Sequence, residues 1–319
     1  MPVVPVVDPV SLKGIINGGS ASTDALMVVD SGTPGPAFMP SRIHRFNAKT
    51  GAYLGSFAAG TFSNFGSGEQ SITINSITKA VTVRDLDATG TCRAYQFSGS
   101  NSALLQVVNL NGKCQGQFAY ALDKLYAAPY SATDTTPSPT QIFTTLASPT
   151  GTLAPASRFY GLAGDRLNLY QADTLAGMLR RFNTNGSITE TPLGTSGEWV
   201  LSCIGARVAG VLNNYDNPIT GAVETDSLIR LWTYPPGGGQ PSAVTINATQ
   251  IQGMKNLRGV ALVGSKEVHV IGYVGSSVRL MAFSLTGDWL RTYSHPDVAS
   301  PSGMVSYNIP GQSGSSVSP

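Results

Sequence analysis

The segment Ser41–Phe57 reads Ser-Arg-Ile-His-Arg-Phe, then Asn-Ala-Lys-Thr-Gly, then Ala-Tyr-Leu-Gly-Ser-Phe. Side chains alternate between the two faces of a β-strand, and both outer parts of this segment show such alternation. The middle part ends in a glycine, which is typical of a turn. The segment therefore predicts a β-hairpin.

The first strand of this hairpin recurs along the chain. Clear copies span 91–97, 177–182, 227–234 and 277–283, and a weaker copy spans 140–145. Aligned on the last residue, the copies begin with Arg42, Arg93, Gln141, Met178, Arg230 and Arg279, continue with an apolar residue, and end with Phe46, Phe97, Thr145, Phe182, Tyr234 and Phe283. Both faces of the strand carry apolar groups, so we expect neighbouring sheets to cover both faces.

Another hairpin precedes each later copy. These hairpins span 71–83, 118–126, 159–169, 199–212 and 257–270. Each unit thus contains four antiparallel strands, and the repeat anchors at 42, 93, 141, 178, 230 and 279 are separated by 51, 48, 37, 52 and 49 residues. A repeat of this length, with frequent turns and no helical periodicity, predicts an all-β fold: a six-bladed β-propeller of four-stranded antiparallel blades.

The first unit lacks an innermost strand, and two segments match the glycine–hydrophobic pattern of that strand. They are Lys13–Asn17 and Ser302–Ser306. The C-terminal segment is favoured because Met304 lies 47 residues after Leu257 and so keeps the period. The expected organisation is an N-terminal arm at 1–20, one propeller domain at 21–309 and a flexible C-terminal tail at 310–319.

The repeat pattern resembles the NHL-like six-bladed β-propellers. Pro301–Val305 and Arg42–Phe57 carry this resemblance, and the other units match more loosely. It implies an architecture that enzymes, ligand-binding domains and scaffolds share. Enzymes of this type often place histidine, glutamate or metal-binding carboxylates on loops at one end of the central channel.

Charged residues make up 12% of the 319 residues, about half of the roughly 25% that is usual. The formal net charge is +2, and no run of lysine and arginine is present, so nucleic acid is not an expected partner. No window contains the roughly 18 apolar residues of a membrane span, so membrane insertion is not expected. The first residues lack the basic region of an ordinary secretory signal.

Cysteines, histidines and acidic residues indicate no catalytic, cofactor or metal site. Free buried thiols are favoured for Cys92 and Cys114, although a pair across one hairpin is the alternative, and Cys203 is expected in the core. His44, His269 and His295 lack metal-ligand spacing and are expected to be structural or superficial. Asp85–Gly90 has the alternating oxygen spacing of a truncated calcium loop, but it is more typical of a polar turn with Asp85 at its head. Asp216–Asp226 is either a weak cation site or a solvated loop, and the solvated loop is favoured.

Two groups of residues are candidates for contact with a partner or glycan. Arg42, Arg93, Arg230 and Arg279 either form a ring of donors for an anionic or sugar ligand, or satisfy loop carbonyls and stack on aromatic rings at the blade edge. The blade-edge role is favoured because third strands lie away from the channel. Phe62 and Phe65 are either exposed to a partner or buried against the next blade.

These features favour a non-enzymatic structural or binding propeller in an exterior assembly. A phage tail or capsid-surface protein, in a virion or otherwise extracellular, fits a low-charge chain without a secretory signal. Its expected partners are other protein subunits, contacted through the termini, and surface glycan. The alternatives are a lactonase- or lyase-like propeller enzyme and a bacterial cell-surface or secreted binding protein.

Overall fold

The structure is a computed structural model. Its description covers sixteen stretches of the chain: 24–33, 39–62, 72–86, 91–99, 101–110, 116–128, 138–144, 149–157, 159–173, 176–183, 186–195, 197–213, 227–236, 238–247, 250–264 and 266–308. The predicted arm at 1–20 and tail at 310–319 lie outside these residues.

The described residues form twenty-four strands in six four-stranded antiparallel sheets, the blades. The innermost strands are β4 (Ile72–Ile74), β8 (Phe118–Ala121), β12 (Phe159–Gly164), β16 (Glu198–Ile204), β20 (Lys255–Val263) and β24 (Pro301–Asn308). The second strands are β1 (Asp24–Asp30), β5 (Val81–Leu86), β9 (Lys124–Ala127), β13 (Leu169–Asp173), β17 (Arg207–Asn213) and β21 (Glu267–Val274). The third strands are β2 (Arg42–Asn47), β6 (Cys92–Phe97), β10 (Ser138–Phe143), β14 (Met178–Phe182), β18 (Leu228–Thr233) and β22 (Ser277–Ser284). The outermost strands are β3 (Tyr53–Phe57), β7 (Leu104–Leu110), β11 (Gly151–Ser157), β15 (Ile188–Pro192), β19 (Ser242–Ile246) and β23 (Trp289–Tyr293).

The innermost strands close a ring, since each one contacts the innermost strand of the next blade. Blade 1 has the order β24-β1-β2-β3, so it combines the last described strand of the chain with the first three. In its register Asp24 faces Asn308 and Val28 faces Met304. The predicted fold and the preference for C-terminal closure are therefore confirmed, and blades 2 to 6 follow in chain order.

Six clusters of buried apolar side chains hold the blades together, one between each neighbouring pair. Strand β24 shows the principle, because Met304 packs toward blade 6 whereas Tyr307 packs toward blade 2. The aromatic column of the repeat is buried in the same way wherever it is described: Phe46, Phe97, Phe182, Tyr234 and Phe283. Apolar residues on both faces of one strand are thus the sequence signature of sheets that stack face to face.

Glycine allows the innermost strands to approach closely. A Cβ atom on Gly161 of β12 would lie 2.2 Å from the carbonyl oxygen of Trp199 in β16. That distance is far inside van der Waals contact, so a larger residue would push blades 4 and 5 apart. Within the described stretches, no helix is long and apolar enough to cross a bilayer.

Candidate functional site

A cavity of about 340 Å³ opens at one end of the central channel, and we call it the channel mouth. All six blades line it. Blades 2, 4, 5 and 6 contribute residues near the turn that joins the innermost strand to the second strand, whereas blade 3 contributes residues 117–119 at the start of β8. Blade 1 has no such turn, because its innermost and second strands come from opposite ends of the described chain. Asp24, where β1 begins, and Tyr307, near the end of β24, therefore both line the channel mouth.

Gln117 ties three blades together beside the channel. It directly precedes β8 and is 2% exposed. Its Oε1 accepts hydrogen bonds from the backbone N–H groups of Leu162 (2.9 Å) and Leu201 (3.1 Å), and its Nε2 donates to the carbonyl oxygen of Leu201 (2.6 Å). The free edges of innermost strands need such partners, because no further strand pairs with them. Sequence reasoning missed this residue; its only local signal is a polar amide placed directly before a buried strand.

Asp165 has a similar role at the rim of the channel mouth. Its Oδ1 accepts the backbone N–H groups of Leu167 (2.8 Å) and Asn168 (2.9 Å), and its Oδ2 accepts the N–H of Gly205 (2.6 Å). The carboxylate thereby caps the turn of blade 4 and connects it to the turn of blade 5. The observed bonds give Asp165 a structural role.

The cysteines agree with the sequence expectation in part. Cys203 lies in β16 and packs against the buried cluster between blades 4 and 5, as expected, but it is partly exposed and also lines the channel mouth. Desolvation, assisted by Asp165, raises the pKa of its thiol well above the usual value, so the thiol is protonated at neutral pH. Cys92 is disulfide-bonded, so the expectation of a free thiol there is wrong. Cys114 lies outside the described residues.

Asp30, at the end of β1, binds the segment that leads into β24. Its Oδ1 accepts the N–H groups of Gly32 (2.8 Å) and Ser300 (2.9 Å), and its Oδ2 accepts the N–H of Ala299 (2.7 Å). His44 Nε2 lies 3.3 Å from the same Oδ2. Burial alone would raise the pKa of Asp30, but the hydrogen bonds lower it below its usual value. This buried carboxylate therefore binds the segment before β24 to the end of β1 and so helps to close the ring.

Two histidines are buried in equivalent chains of hydrogen bonds. His44 lies between Asp30 and the Tyr53 hydroxyl, and His269 lies between Glu267 (3.0 Å) and the Tyr293 hydroxyl (2.8 Å). Burial lowers the pKa of His269 to about 4, although its bond to Glu267 acts in the opposite direction. Both histidines are fully buried, in agreement with the expected structural role.

The third histidine, His295, stacks on the ring of Tyr53, with a centroid separation of 3.6 Å. Among the residues that the structure describes, no group of three or more histidine, cysteine or acidic side chains is arranged to hold a metal ion. Asp85 is buried within β5 rather than at the head of a turn, so that part of the expectation is wrong. Residues 87–90 and the acidic stretch 216–226 lie outside the description.

The four repeat arginines lie on third strands of four different blades and are each partly buried: Arg42 on β2, Arg93 on β6, Arg230 on β18 and Arg279 on β22. Three of them donate to backbone carbonyl oxygens: Arg42 to Pro40 (3.2 Å), Arg230 to Leu193 (2.7 Å) and Arg279 to Val278 (3.1 Å). Arg230 also lies over the Trp232 ring at 5.9 Å, and Arg93 faces Asp85 in the register. These contacts agree with the blade-edge role. Binding of an anion or glycan by the arginines stays a prediction.

Phe62 packs between blades 1 and 2. Its side chain is 7% exposed and meets the rings of Tyr95 and Phe97 edge to face, at centroid distances of 5.3 and 5.8 Å. Of the two alternatives for Phe62, burial against the next blade is therefore the one observed, and little of its ring is exposed to a partner. Phe65 lies outside the described residues.

The outermost strand of blade 2 is a surface that the sequence reasoning did not single out. Leu104, Leu105 and Val107 on β7 are 49%, 56% and 45% exposed. Strand β7 pairs with β6 along one edge, and no other described strand pairs with it. The sequence of β7, Leu-Leu-Gln-Val-Val-Asn-Leu, contains no charged residue and no proline.

Solved β-propellers are similar to this chain in fold. A chain of a nidogen/laminin complex aligns with a TM-score of 0.59 and 12% identity over 91% of this chain and 100% of that chain. The propeller domain of Cps50 (Swd1) from Myceliophteria thermophila gives 0.52 and 10% over 81% of each chain. A 6-phosphogluconolactonase candidate from Bacteroides uniformis gives 0.50 and 14% over 85% of this chain and 82% of that chain.

No family model and no curated protein matches the sequence. Identities of this size show a shared fold and leave function open. The chain is thus a six-bladed β-propeller, and its likeness to these solved structures is a likeness of fold.

Proposed function

We propose that this protein is a non-enzymatic structural or binding propeller of an exterior assembly, and that the assembly is a phage particle with the protein in its tail or on its capsid surface. The observation that carries the proposal is the uncharged outer strand β7, with its exposed Leu104, Leu105 and Val107. Its partners are other protein subunits of the assembly.

An unpaired strand edge is a template for pairing with another chain. Soluble proteins usually protect such edges with charged residues or proline, and β15 has both, in Glu190 and Pro192. Strand β7 has neither, and it adds exposed apolar side chains to its free backbone groups. A partner strand that adds to this edge would satisfy the backbone groups and cover the apolar side chains.

Two features support an exterior location. Cys92 is disulfide-bonded, and disulfides persist mainly in oxidising environments outside the cytosol. Charged residues make up 12% of the chain, so its surface depends on uncharged polar groups for solubility. A phage particle is the exterior assembly that we put forward, because its proteins are made in a cytoplasm and act outside it.

The direct test is incorporation of a β7 variant into particles. In the double variant Leu105→Lys and Val107→Lys, two charges lie on one face of the exposed edge, and we expect at least tenfold less protein in purified particles by quantitative mass spectrometry. The control is Ile188→Lys, which changes an exposed apolar residue (43%) on another outer strand. Circular dichroism and urea unfolding establish that both variants fold.

Equal incorporation of the β7 variant and the control would overturn the role of β7. Absence of the natural protein from purified particles would overturn the virion proposal. Turnover of a lactone such as 6-phosphogluconolactone by the purified chain would instead support an enzyme, the activity in the name of the Bacteroides uniformis neighbour.

A further inference from the structure

The outermost strand of blade 2, β7 (Leu104–Leu110), has properties that suit pairing with a second copy of itself. Strand β6 occupies one of its edges, and among the described strands no other pairs with it. A strand with one open edge accepts one partner strand. If two copies of the chain pair through β7, each uses up the open edge of the other, so the contact has two-fold symmetry and closes at two copies.

We propose that the strand that covers β7 is the β7 of a second copy of this chain. The inference rests on the proposed role of β7 as a contact edge, and it names the partner at that edge. The two strands are antiparallel, because a two-fold axis reverses the direction of a strand that lies across it. The four strands of blade 2 in each copy then form one continuous sheet.

The absence of charge from β7 favours this partner. A two-fold axis brings residues near the centre of a strand opposite their own copies, and like charges that face each other destabilise a sheet. None of the seven residues of β7 is charged. Two other outermost strands expose large apolar side chains, but β15 contains Glu190 beside Ile188, and β23 contains Arg291 beside Trp289. Of these three strands, only β7 can pair with itself without opposing charges.

The centre of the strand fixes the expected register. Val107 is the middle residue of β7, so an axis through Val107 centres the pairing and places it opposite the second copy's Val107. The irregularity in the ladder with β6 lies between Leu104 and Gln106, so the strand is regular on both sides of Val107. Residues directly opposite each other in an antiparallel pair have Cβ atoms roughly 4.5–5.5 Å apart. Val107, which is 45% exposed, is thereby covered.

The size of the edge implies that free copies pair weakly. A stable interface usually buries about 800 Å² and 20–30 residues on each partner, which is more than a strand of seven residues provides. An assembly that holds two copies side by side raises their effective concentration to the order of millimolar. We therefore expect dilute purified chain to be monomeric, with an open β7 edge, and the contact to form in concentrated solution and in the assembly.

Cross-linking at the axis tests the proposal. The variant Val107→Cys is treated with a short bis-maleimide under non-reducing conditions, in concentrated solution and in purified particles, and cross-linked peptides are identified by mass spectrometry. A link between two cysteines at position 107 can only join two copies. We expect at least tenfold more of this link than of the corresponding link in the control Ile188→Cys, an exposed position (43%) on β15. Cys203 is present in both variants and gives the same background.

A charge swap separates two-fold pairing from unspecific association of apolar side chains. In concentrated solution, Val107→Lys alone and Val107→Glu alone should sediment as monomers, because like charges would face each other at the axis. An equal mixture of the two should form dimers, because opposite charges would then face each other. Far-ultraviolet circular dichroism of each variant establishes that the fold is retained.

The second copy would be overturned if the link at position 107 were no more abundant than the control link, or if the mixture stayed monomeric. A link in particles from position 107 to a different protein would also overturn it, but would keep β7 as the contact edge of the proposed function. Absence of the natural protein from particles would overturn the virion proposal and leave the link between copies in concentrated solution unaffected.

Discussion

Replacing Asp30 by asparagine should weaken the closure of the ring. The carboxylate accepts three backbone N–H groups, from Gly32, Ala299 and Ser300, and contacts His44. Two of the three N–H groups lie on the segment that leads into β24, and the bonds span 269 and 270 residues of sequence. Asparagine has nearly the same shape but one acceptor atom, so its amide nitrogen must face a donor.

The expected loss follows from the bonds that asparagine cannot make. If its oxygen keeps Gly32 and Ser300, its NH₂ group faces the N–H of Ala299. The variant then loses one charge-assisted hydrogen bond and leaves a buried donor unsatisfied, which together cost roughly 2–5 kcal/mol. That is a large fraction of the roughly 5–15 kcal/mol that stabilises most proteins. With a urea dependence of about 3 kcal/mol per molar, the midpoint falls by roughly 1 M.

Urea unfolding followed by tryptophan fluorescence measures this shift, and Asp288→Asn is the control. Asp288 is an exposed aspartate whose carboxylate accepts hydrogen bonds from the Ser284 and Thr286 hydroxyls within its own turn, so its replacement should change the midpoint much less. The pKa of Asp30 is lowered in the folded protein, so its contribution is present above the unfolded value and is lost as the pH falls through the folded value. Equal midpoints for Asp30→Asn and the natural protein at pH 7 would refute the proposed role of the Asp30 carboxylate in ring closure.

Three other perturbations test the same structure. Burial lowers the pKa of His269 to about 4, so between pH 6.5 and 4 the unfolded chain binds a proton at this residue that the folded chain does not. The free energy of unfolding should therefore fall by up to about 3 kcal/mol as the pH is lowered over that range. Urea midpoints across pH measure this fall, which should be absent in His269→Gln. Met304→Ala should destabilise the protein by roughly 2–5 kcal/mol, because it leaves a cavity between blades 6 and 1; an unchanged thermal midpoint would contradict the closing role of β24. Gln117→Ala removes the partners of Leu162 and Leu201, and should cost roughly 2–4 kcal/mol and speed deuterium exchange at those two amides.

The sequence predicts the fold well because a propeller repeats local patterns. A strand that is apolar on both faces is visible in the repeat that contains Phe46 and Phe283, and the six buried clusters between blades confirm its meaning. The sequence also predicts that the C-terminal segment closes the ring, because Met304 lies about one repeat length beyond Leu257.

The sequence does not predict the contacts that close the channel and the ring. Gln117 binds residues 45 and 84 positions away, and Asp30 binds residues about 270 positions away. Such partners depend on how the blades are arranged in space and leave no periodic signal. The pairing of Cys92 and the exposure of β7 likewise leave no signal in the repeat.

The most direct test of the proposed function compares deuterium exchange in residues 101–110, which contain β7, between the purified chain and the assembled particle. We expect the free edge amides of β7 to exchange quickly in the purified chain and much more slowly in the particle, because a partner strand covers the edge. Equally fast exchange in both states would contradict the claim that this protein joins its assembly through β7.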